Sequence, residues 1–200
     1  NIATSNANNG IIPGNEFYYA STHLQVAGKM VIQSKSVSDW QAVFSEFKIQ
    51  TGLFSSSTYD LPSSTNPRLA GGMHWTATEY LGFLRKLAKG QLLNNSSMIT
   101  YLLDHTANAT MTYSPVKSST LNEEWHYGYG YWHECQNATW NCTVASRISS
   151  PGAYGSYPFW DRTNNYIGII ARQGTTGTFP YGIQIERAVR SLTKEWLTCN

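Results

Sequence analysis

At 200 residues the chain is long enough to bury the core of one ordinary domain. Charged residues are scarce at 13%, aromatic residues plentiful at 14%, and the formal net charge of +2 leaves no basic stripe for nucleic acid. No apolar run approaches the roughly 18 residues that a membrane span needs, and no charged-then-apolar leader stands at the N-terminus, so a secreted form would begin after processing.

Residues 1–16, "NIATSNANNGIIPGNE", are rich in Asn and Gly and read as an irregular arm. From Phe17 to about Phe54 the apolar positions Leu24, Val26, Ala27, Met30, Val31, Trp40, Val43, Phe44 and Phe47 mostly fit helical spacing. They predict two helices broken near "QSKSVSDW", with Ser38 or Asp39 capping the second. The Ser/Pro/Gly-rich stretch 51–72 reads as a long loop of the kind that rims a binding site. "TATEYLGFLRKLAKG" is the clearest helix, with Thr76 and Glu79 as a capping box and Gly90 as its stop. A further helix is expected in "SSMITYLLDHT". The pattern then turns to aromatic, strand-like runs in "WHYGYGYWHE", "WNCTVASR", "AYGSYPFWD" and "YIGIIARQ", separated by turn residues. "GIQIERAVRSLTKEWL" closes the chain as an amphipathic helix, with Ile183, Ile185, Ala188, Val189, Leu192, Trp196 and Leu197 largely on one side. Helices, then consecutive strands, then a helix is an α+β order, and the tight links favour an antiparallel sheet flanked by helices. One partial domain is expected: an arm at 1–16, a mainly helical part at 17–125, and strands plus helix at 126–200.

Low charge and abundant Ser, Thr, Asn, Gly, Tyr and Trp fit an extracellular or lumenal surface. Asn-x-Ser/Thr occurs at Asn94, Asn95, Asn108, Asn137 and Asn141, five candidate glycosylation sites, of which adjacent Asn94 and Asn95 would not both be occupied. Cys135 and Cys142, seven apart between aromatic runs, fit a disulfide across a hairpin. Cys199 is then left over and reads as an inter-chain bridge, as a free thiol, or as the partner of one of the other two.

The order of motifs carries a resemblance. "PGNEFYYASTHLQVAG", from Pro13 to Gly28, resembles the Pro-Gly-x-x-Phe-x-Tyr-x-Asn segment of the serine β-lactamase-related family, which includes class C β-lactamases, DD-peptidases and esterases. "NPRLAGGMHWTATEYLGFLRKL" looks like its Gly-Gly-then-helix segment, "YGYGYW" like its Tyr-Gly-x-Gly-Trp strand, and "SSPGAYGSYPFWDR" with "YIGIIAR" like its third active-site motif and following hairpin. Together these segments cover about residues 13 to 197. The resemblance implies the C-terminal part of a β-lactamase/transpeptidase-like fold. It also implies acyl transfer by a serine in Ser-x-x-Lys, with the lysine and a tyrosine shuttling its proton and backbone N–H groups stabilising the oxyanion.

Carried onto this chain, Tyr19 matches the motif tyrosine, Ser21 replaces the usual asparagine, Gly152 matches the third-motif glycine, and Ala153 supplies an oxyanion N–H. Substrate would lie along Ser150 to Ala153, with Tyr154, Tyr157 and Trp160 as candidate cleft aromatics. Ser150 and Pro151 stand where many relatives carry a Lys or His and then a Thr or Ser. That departure removes a charge for a substrate carboxylate, so a small ester or neutral amide is expected over a β-lactam. A free phenol titrates near 10 and becomes a base only beside a cation.

Ser-x-x-Lys occurs at Ser45–Lys48, Ser114–Lys117 and Ser191–Lys194, all after Tyr19, whereas the family's motif precedes its tyrosine. None fits the role, so the nucleophile is expected on a second polypeptide of the same precursor, held through Cys199. The expectation is thus the C-terminal chain of a secreted, glycosylated, two-chain serine hydrolase needing no metal or cofactor. His23, His74, His105, His126 and His133 lack ligand-like spacing. The alternative is a non-catalytic binding protein, lectin-like, on the same scaffold. A chain folding with no partner would have to cover a bare sheet edge.

Overall fold

Capping side chains set the helical part. In this computed structural model, which describes residues 12, 14–143 and 145–199, Asp39 is extended and accepts the Ala42 N–H at 3.0 Å, starting α2 (Trp40–Thr51). Gly52, in the left-handed region, ends it. Before it, α1 (Thr22–Ser34) begins later than the sequence pattern predicts, because Phe17 belongs to β1 (Glu16–Tyr18) instead. Of the expected arm, 1–11 and Pro13 lie outside the described residues, and Glu16 is already strand. The expected loop at 51–72 contains β2 (Thr58–Tyr59), which pairs antiparallel with β3 (Met73–His74). Gly72 is required there, since a Cβ would lie 2.3 Å from the Leu61 carbonyl oxygen.

Thr76 caps α3 (Ala77–Ala88) by accepting the Glu79 N–H. The capping box is only half made. The Glu79 carboxylate accepts the Thr76 hydroxyl at 3.2 Å rather than its N–H, and also accepts the Ser56 N–H and the Ser57 hydroxyl, each at 2.7 Å, and so holds the preceding loop. α4 (Asn95–Tyr101) is shorter than expected and is capped by Asn94. β4 (Thr110–Tyr113) pairs parallel with β1 across almost a hundred residues, a pairing that no local pattern announces.

The main sheet is antiparallel and runs in chain order: β5 (His126–Tyr127), β6 (Trp132–His133), β7 (Arg147–Ser149), β8 (Tyr157–Asp161) and β9 (Tyr166–Ile170). The α+β class expected from sequence is the one observed. "WNCTVASR" is a correction: apart from its last residue it is loop, with Val144 outside the described residues. Its chain is diverted by the Cys135–Cys142 disulfide, which clasps the β6–β7 connection. Alternation along β8 divides the sheet faces. Tyr157 and Phe159 meet Ile183 of α5 (Phe179–Thr198) in one buried cluster with Trp125, Tyr127 and Trp132. Pro158 and Trp160 look the other way, toward Leu84 and Leu87 of α3. A second cluster, around Phe44, Leu53 and Phe54, fills the helical part.

α5 is oriented contrary to the usual amphipathic rule. Its buried positions are Pro180, Gly182, Ile183 and Glu186, with Arg187 and Arg190 half-buried, so from Glu186 onward the covered side carries charge. Its apolar stripe points outward, with Ile185 44%, Val189 42%, Leu192 63% and Trp196 74% exposed. Beyond Ile183, which packs into the apolar cluster, a buried ionic lattice lies beneath the helix. Arg147 of β7 donates from Nη2 to Asp161 at 2.8 Å and to the Tyr166 hydroxyl at 2.9 Å, and its Nη1 lies 2.6 Å from Glu186. Arg190 adds further hydrogen bonds to Glu186, and Arg187 grips Glu123, which also accepts the Trp125 indole N–H. Close approach is possible because residue 182 is glycine: a Cβ there would lie 2.2 Å from the Gly155 carbonyl oxygen.

Candidate active site

The end of β1, the turn after β7, the β2–β3 hairpin and the start of α3 converge on a cleft of about 450 Å³. Tyr19 enters just beyond β1, its N–H donating to the Tyr113 carbonyl of β4, so the parallel β1–β4 pair sets its position. Its ring packs edge-on against Tyr127 and tilted against Trp132, with centroids 5.6 and 5.0 Å away. Across the cleft, Ser150 continues the β7–β8 ladder by donating its N–H to Pro158 and donates its hydroxyl to the Gly130 carbonyl at 3.3 Å. The Gly152 N–H donates to Ser156, and the Gly155 N–H to Gly152. The Ala153 carbonyl accepts from Gly177, while the Ala153 N–H has no acceptor among the described residues.

Tyr19, Ser150, Gly152, Ala153 and Tyr154 therefore line one cleft. Ser21 does not line it; it stands exposed at the start of α1, without a side-chain hydrogen bond to the helix. Tyr157 is a correction among the aromatics, being wholly buried on the α5 side with its hydroxyl donating to Glu134. Trp160 faces α3 in a smaller cavity instead. A Cβ at Gly152 would lie 2.3 Å from the Ser156 hydroxyl oxygen, a side-chain end that can rotate aside. The cleft aromatics that sequence reasoning missed are Tyr59, Trp75, Tyr80, Tyr127 and Trp132. Trp75 and Tyr80 lie within the Gly-Gly-then-helix segment, where the hairpin and the first turn of α3 turn them inward.

Electrostatically the cleft is empty of ions: none of its lining residues is Asp, Glu, Lys, Arg or His. Burial, with Tyr113 adding to it, pushes the Tyr19 phenol up. Burial likewise raises Tyr59 and lifts Tyr80 to about 12, and it raises Tyr127 further. These phenols are held protonated near neutral pH, the form in which a hydroxyl is able to donate. None of the Ser-x-x-Lys serines reaches the cleft. Ser45 is exposed on α2, Ser191 is exposed on α5, and Ser114 is buried in the turn after β4, where it accepts the Lys117 N–H. Their lysines are occupied or remote, Lys48 donating to the Ser57 carbonyl at 2.6 Å and Lys117 to Ala138.

No group of three or more His, Cys, Asp or Glu able to hold a metal occurs among the described residues. His126 instead bonds Asp104 and stacks on Trp140 at 3.6 Å, and His133 bonds the Leu103 carbonyl. All five sequon asparagines are exposed. Cys199 is exposed and free at the end of α5. No helix among the described residues is long and apolar enough to cross a membrane.

No protein-family model matches the chain, and no curated protein does. Several solved structures are similar to it, two of them as follows. One is a "putative beta-lactamase" from Bacteroides dorei DSM 17855, with TM-score 0.68 and 21% identity over 94% of this chain and 62% of that one. The other is a penicillin binding protein from Bacillus halodurans, with TM-score 0.61 and 17% identity over 92% of this chain and 59% of that one. The chain thus spans less than two thirds of either neighbour's length. Its helices, its five-stranded antiparallel sheet and its cleft make up part of the serine β-lactamase-related fold.

Proposed function

We propose that the chain is one part of a secreted or lumenal two-polypeptide serine hydrolase that cleaves a small, uncharged ester, amide or peptide bond through an acyl-enzyme. The observation that carries this reading is the convergence of Tyr19 and the Ser150–Ala153 turn on one ion-free cleft within this fold. A serine and lysine from the second polypeptide would enter that cleft. The serine oxygen attacks the substrate carbonyl carbon, its proton passes to the lysine–tyrosine pair, and the negative oxygen that forms is met by the Ala153 N–H. The alcohol or amine leaves carrying that proton, and water then releases the acid. Burial holds the Tyr19 phenol protonated in this chain, so the lysine is what lowers it into a working range. The ion-free lining and the Ser150–Pro151 departure favour a substrate without a carboxylate. Five exposed sequons and the Cys135–Cys142 disulfide support the secretory location, and exposed Cys199 supports a covalent link between the polypeptides.

A second reading has its own observation. Seven aromatic residues line the cleft, with every resolved phenol shift upward, and such a lining can stack on a neutral sugar without any chemistry. Native protein treated with a biotinylated fluorophosphonate separates the two. Label on a serine of the second polypeptide, lost on heat denaturation, supports the hydrolase. A folded, unlabelled protein that hydrolyses neither p-nitrophenyl acetate nor p-nitrophenyl butyrate leaves the binding reading in its place.

A further inference from the structure

We infer that the smaller cavity between α3 and the β7–β8 face of the sheet is a side pocket of the cleft, built to take a neutral aromatic ring borne by the substrate. The inference rests on the hydrolase reading only in calling the bearer of that ring a substrate. Three observations carry the pocket itself.

The first is that its walls are elements of this chain already packed together. Leu84 and Leu87 of α3 form one wall, and Ile148 of β7 with Pro158 and Trp160 of β8 form the other. Tyr101, the last residue of α4, and Tyr129 to Tyr131 of the β5–β6 turn complete the lining. Tyr131 is held in place, since its hydroxyl donates to the Tyr101 carbonyl and its ring lies where Gly128 has no side chain. A Cβ at Gly128 would lie 2.4 Å from the Tyr131 Cζ. Tyr129 stacks on His105, centroids 3.8 Å apart, and is 60% exposed, which leaves its ring room to adjust to a guest.

The second is continuity with the cleft. Tyr80, Gly130, Ser150 and Pro158 line both cavities. The Ser150 hydroxyl donates to the Gly130 carbonyl, and the Tyr80 hydroxyl lies beside Ser150. The two spaces therefore meet at the start of the Ser150–Ala153 turn, and a substituent on a substrate laid along that turn can enter the pocket there.

The third is size and chemistry. The pocket holds about 190 Å³. An apolar cavity of roughly 150 Å³ accepts benzene, so a single six-membered ring fits here and a fused pair does not. Tyr80, Phe83, Tyr101, Tyr129, Tyr131 and Trp160 supply aromatic surface, and no Asp, Glu, Lys, Arg or His is in the lining. Rings gain from offset and edge-on contacts in a way that a saturated ring of the same size does not. Burial pushes the Tyr80, Tyr101 and Tyr131 phenols up, so the lining stays uncharged around neutral pH. A charged ring would lose its hydration with nothing to replace it.

Saturation-transfer NMR on the native protein, titrated with benzyl alcohol, cyclohexylmethanol and 2-naphthylmethanol, tests this. Benzyl alcohol should bind saturably with a dissociation constant of about 1 mM, the scale that a ligand of so few atoms reaches. Cyclohexylmethanol should bind about fivefold more weakly, and 2-naphthylmethanol more weakly still. Leu84→Trp, which fills the pocket from α3, should weaken benzyl alcohol binding about tenfold or more. Tyr129→Ala, at an exposed position, should weaken it about threefold and leave the far-UV circular dichroism unchanged. In the native assembly, benzyl butyrate should show a KM about fivefold below that of cyclohexylmethyl butyrate. Four results overturn the inference: no saturable binding of benzyl alcohol, equal affinity for the benzyl and cyclohexyl alcohols, affinity unchanged in both folded variants, or equal KM for the two esters. The hydrolase reading fails separately. A protein that binds benzyl alcohol with both variant effects, yet hydrolyses neither these esters nor ethyl butyrate, keeps the pocket and removes the enzyme. Hydrolysis of ethyl butyrate by a protein that binds no benzyl alcohol does the reverse.

Discussion

Arg147→Met should cost about 3 kcal/mol, and the reasons can be read from its neighbours. The guanidinium is buried, with 4% of the side chain exposed, and it meets two carboxylates, a phenol hydroxyl and the Phe159 ring, 4.3 Å away. Methionine keeps the apolar stem against Phe159 and deletes the charge alone. Breaking a buried pair by removing one partner costs roughly 3–5 kcal/mol, because the survivor is left charged and poorly solvated. Both survivors here retain some help, which argues for the low end. Asp161 keeps the Asn164 backbone and side-chain N–H groups, and Glu186 keeps Arg190. For a chain of this size about 3 kcal/mol lowers the melting temperature by about 6–12 °C.

The pH dependence supplies an independent check. Burial works against both charges, but Arg147 outweighs it at Asp161, and Arg190 with Arg147 outweighs it at Glu186, so both carboxyls lie below their ordinary values. A depressed acid contributes stability that is present above its ordinary value near 4 and is lost as the pH falls below it. The deficit of Arg147→Met should therefore be full at pH 7 and shrink toward pH 3. Calorimetric melting of both proteins across that range measures it. A deficit below about 0.5 kcal/mol at pH 7, or one that grows on acidification, would falsify the reasoning.

Tyr19→Phe in the native assembly should leave the melting temperature within a degree or two and lower kcat on a p-nitrophenyl ester by about 10²–10⁴, the range for a lost proton-transfer group; unchanged kcat removes Tyr19 from the mechanism. Glu79→Gln should cost about 1–2 kcal/mol, discounted for partial exposure, by loosening residues 55–57. Because hydrogen bonds from Ser56 and Ser57 outweigh the opposing effect of burial and hold the Glu79 carboxyl at about 2, that difference should be full above pH 4.5 and vanish as the pH falls toward 2, which urea titrations at several pH values would measure. Glu134→Gln tests the opposite sign: burial raises this carboxyl despite the Tyr157 hydroxyl, so the wild type loses stability as the pH rises, and the variant's advantage should grow between pH 4 and 8; a constant difference in melting temperature would refute it. Gly182→Ala should cost about 1–3 kcal/mol by driving α5 off the Gly155 carbonyl, seen as a lowered denaturation midpoint.

Local chemistry was legible and long-range consequence was not. Asp39, Thr76 and the glycines after α2 and α3 announce helix ends because a cap acts within a few residues. The Cys135–Cys142 bridge could be read for the same reason. The β1–β4 pair could not, since its partners are separated by about ninety residues and neither strand is long enough to show a period. Of the site, Tyr19 and the Ser150–Ala153 turn were found through ordered motifs, whereas Tyr59 and Tyr80 belong to the cleft only because the β2–β3 hairpin and α3 fold over it. Ser21 illustrates the converse: the alignment of a motif does not oblige its last side chain to face the cleft.

The terminal helix shows where pattern reading stops in principle. Periodicity establishes that α5 has one apolar side, and it is silent on what that side meets. The sheet beneath is already committed to charge, because Arg147 stands in β7 and needs Glu186 and Asp161 as counter-ions. Once Arg147 and Glu123 occupy that face, the helix neutralises them by turning Glu186 and Arg187 inward, with Arg190 on Glu186, and its leucine and tryptophan then point out. The exposed stripe is therefore a consequence of the buried lattice. At the other end of the sheet the cleft is lined instead by aromatics, with no Asp, Glu, Lys, Arg or His among its described lining residues.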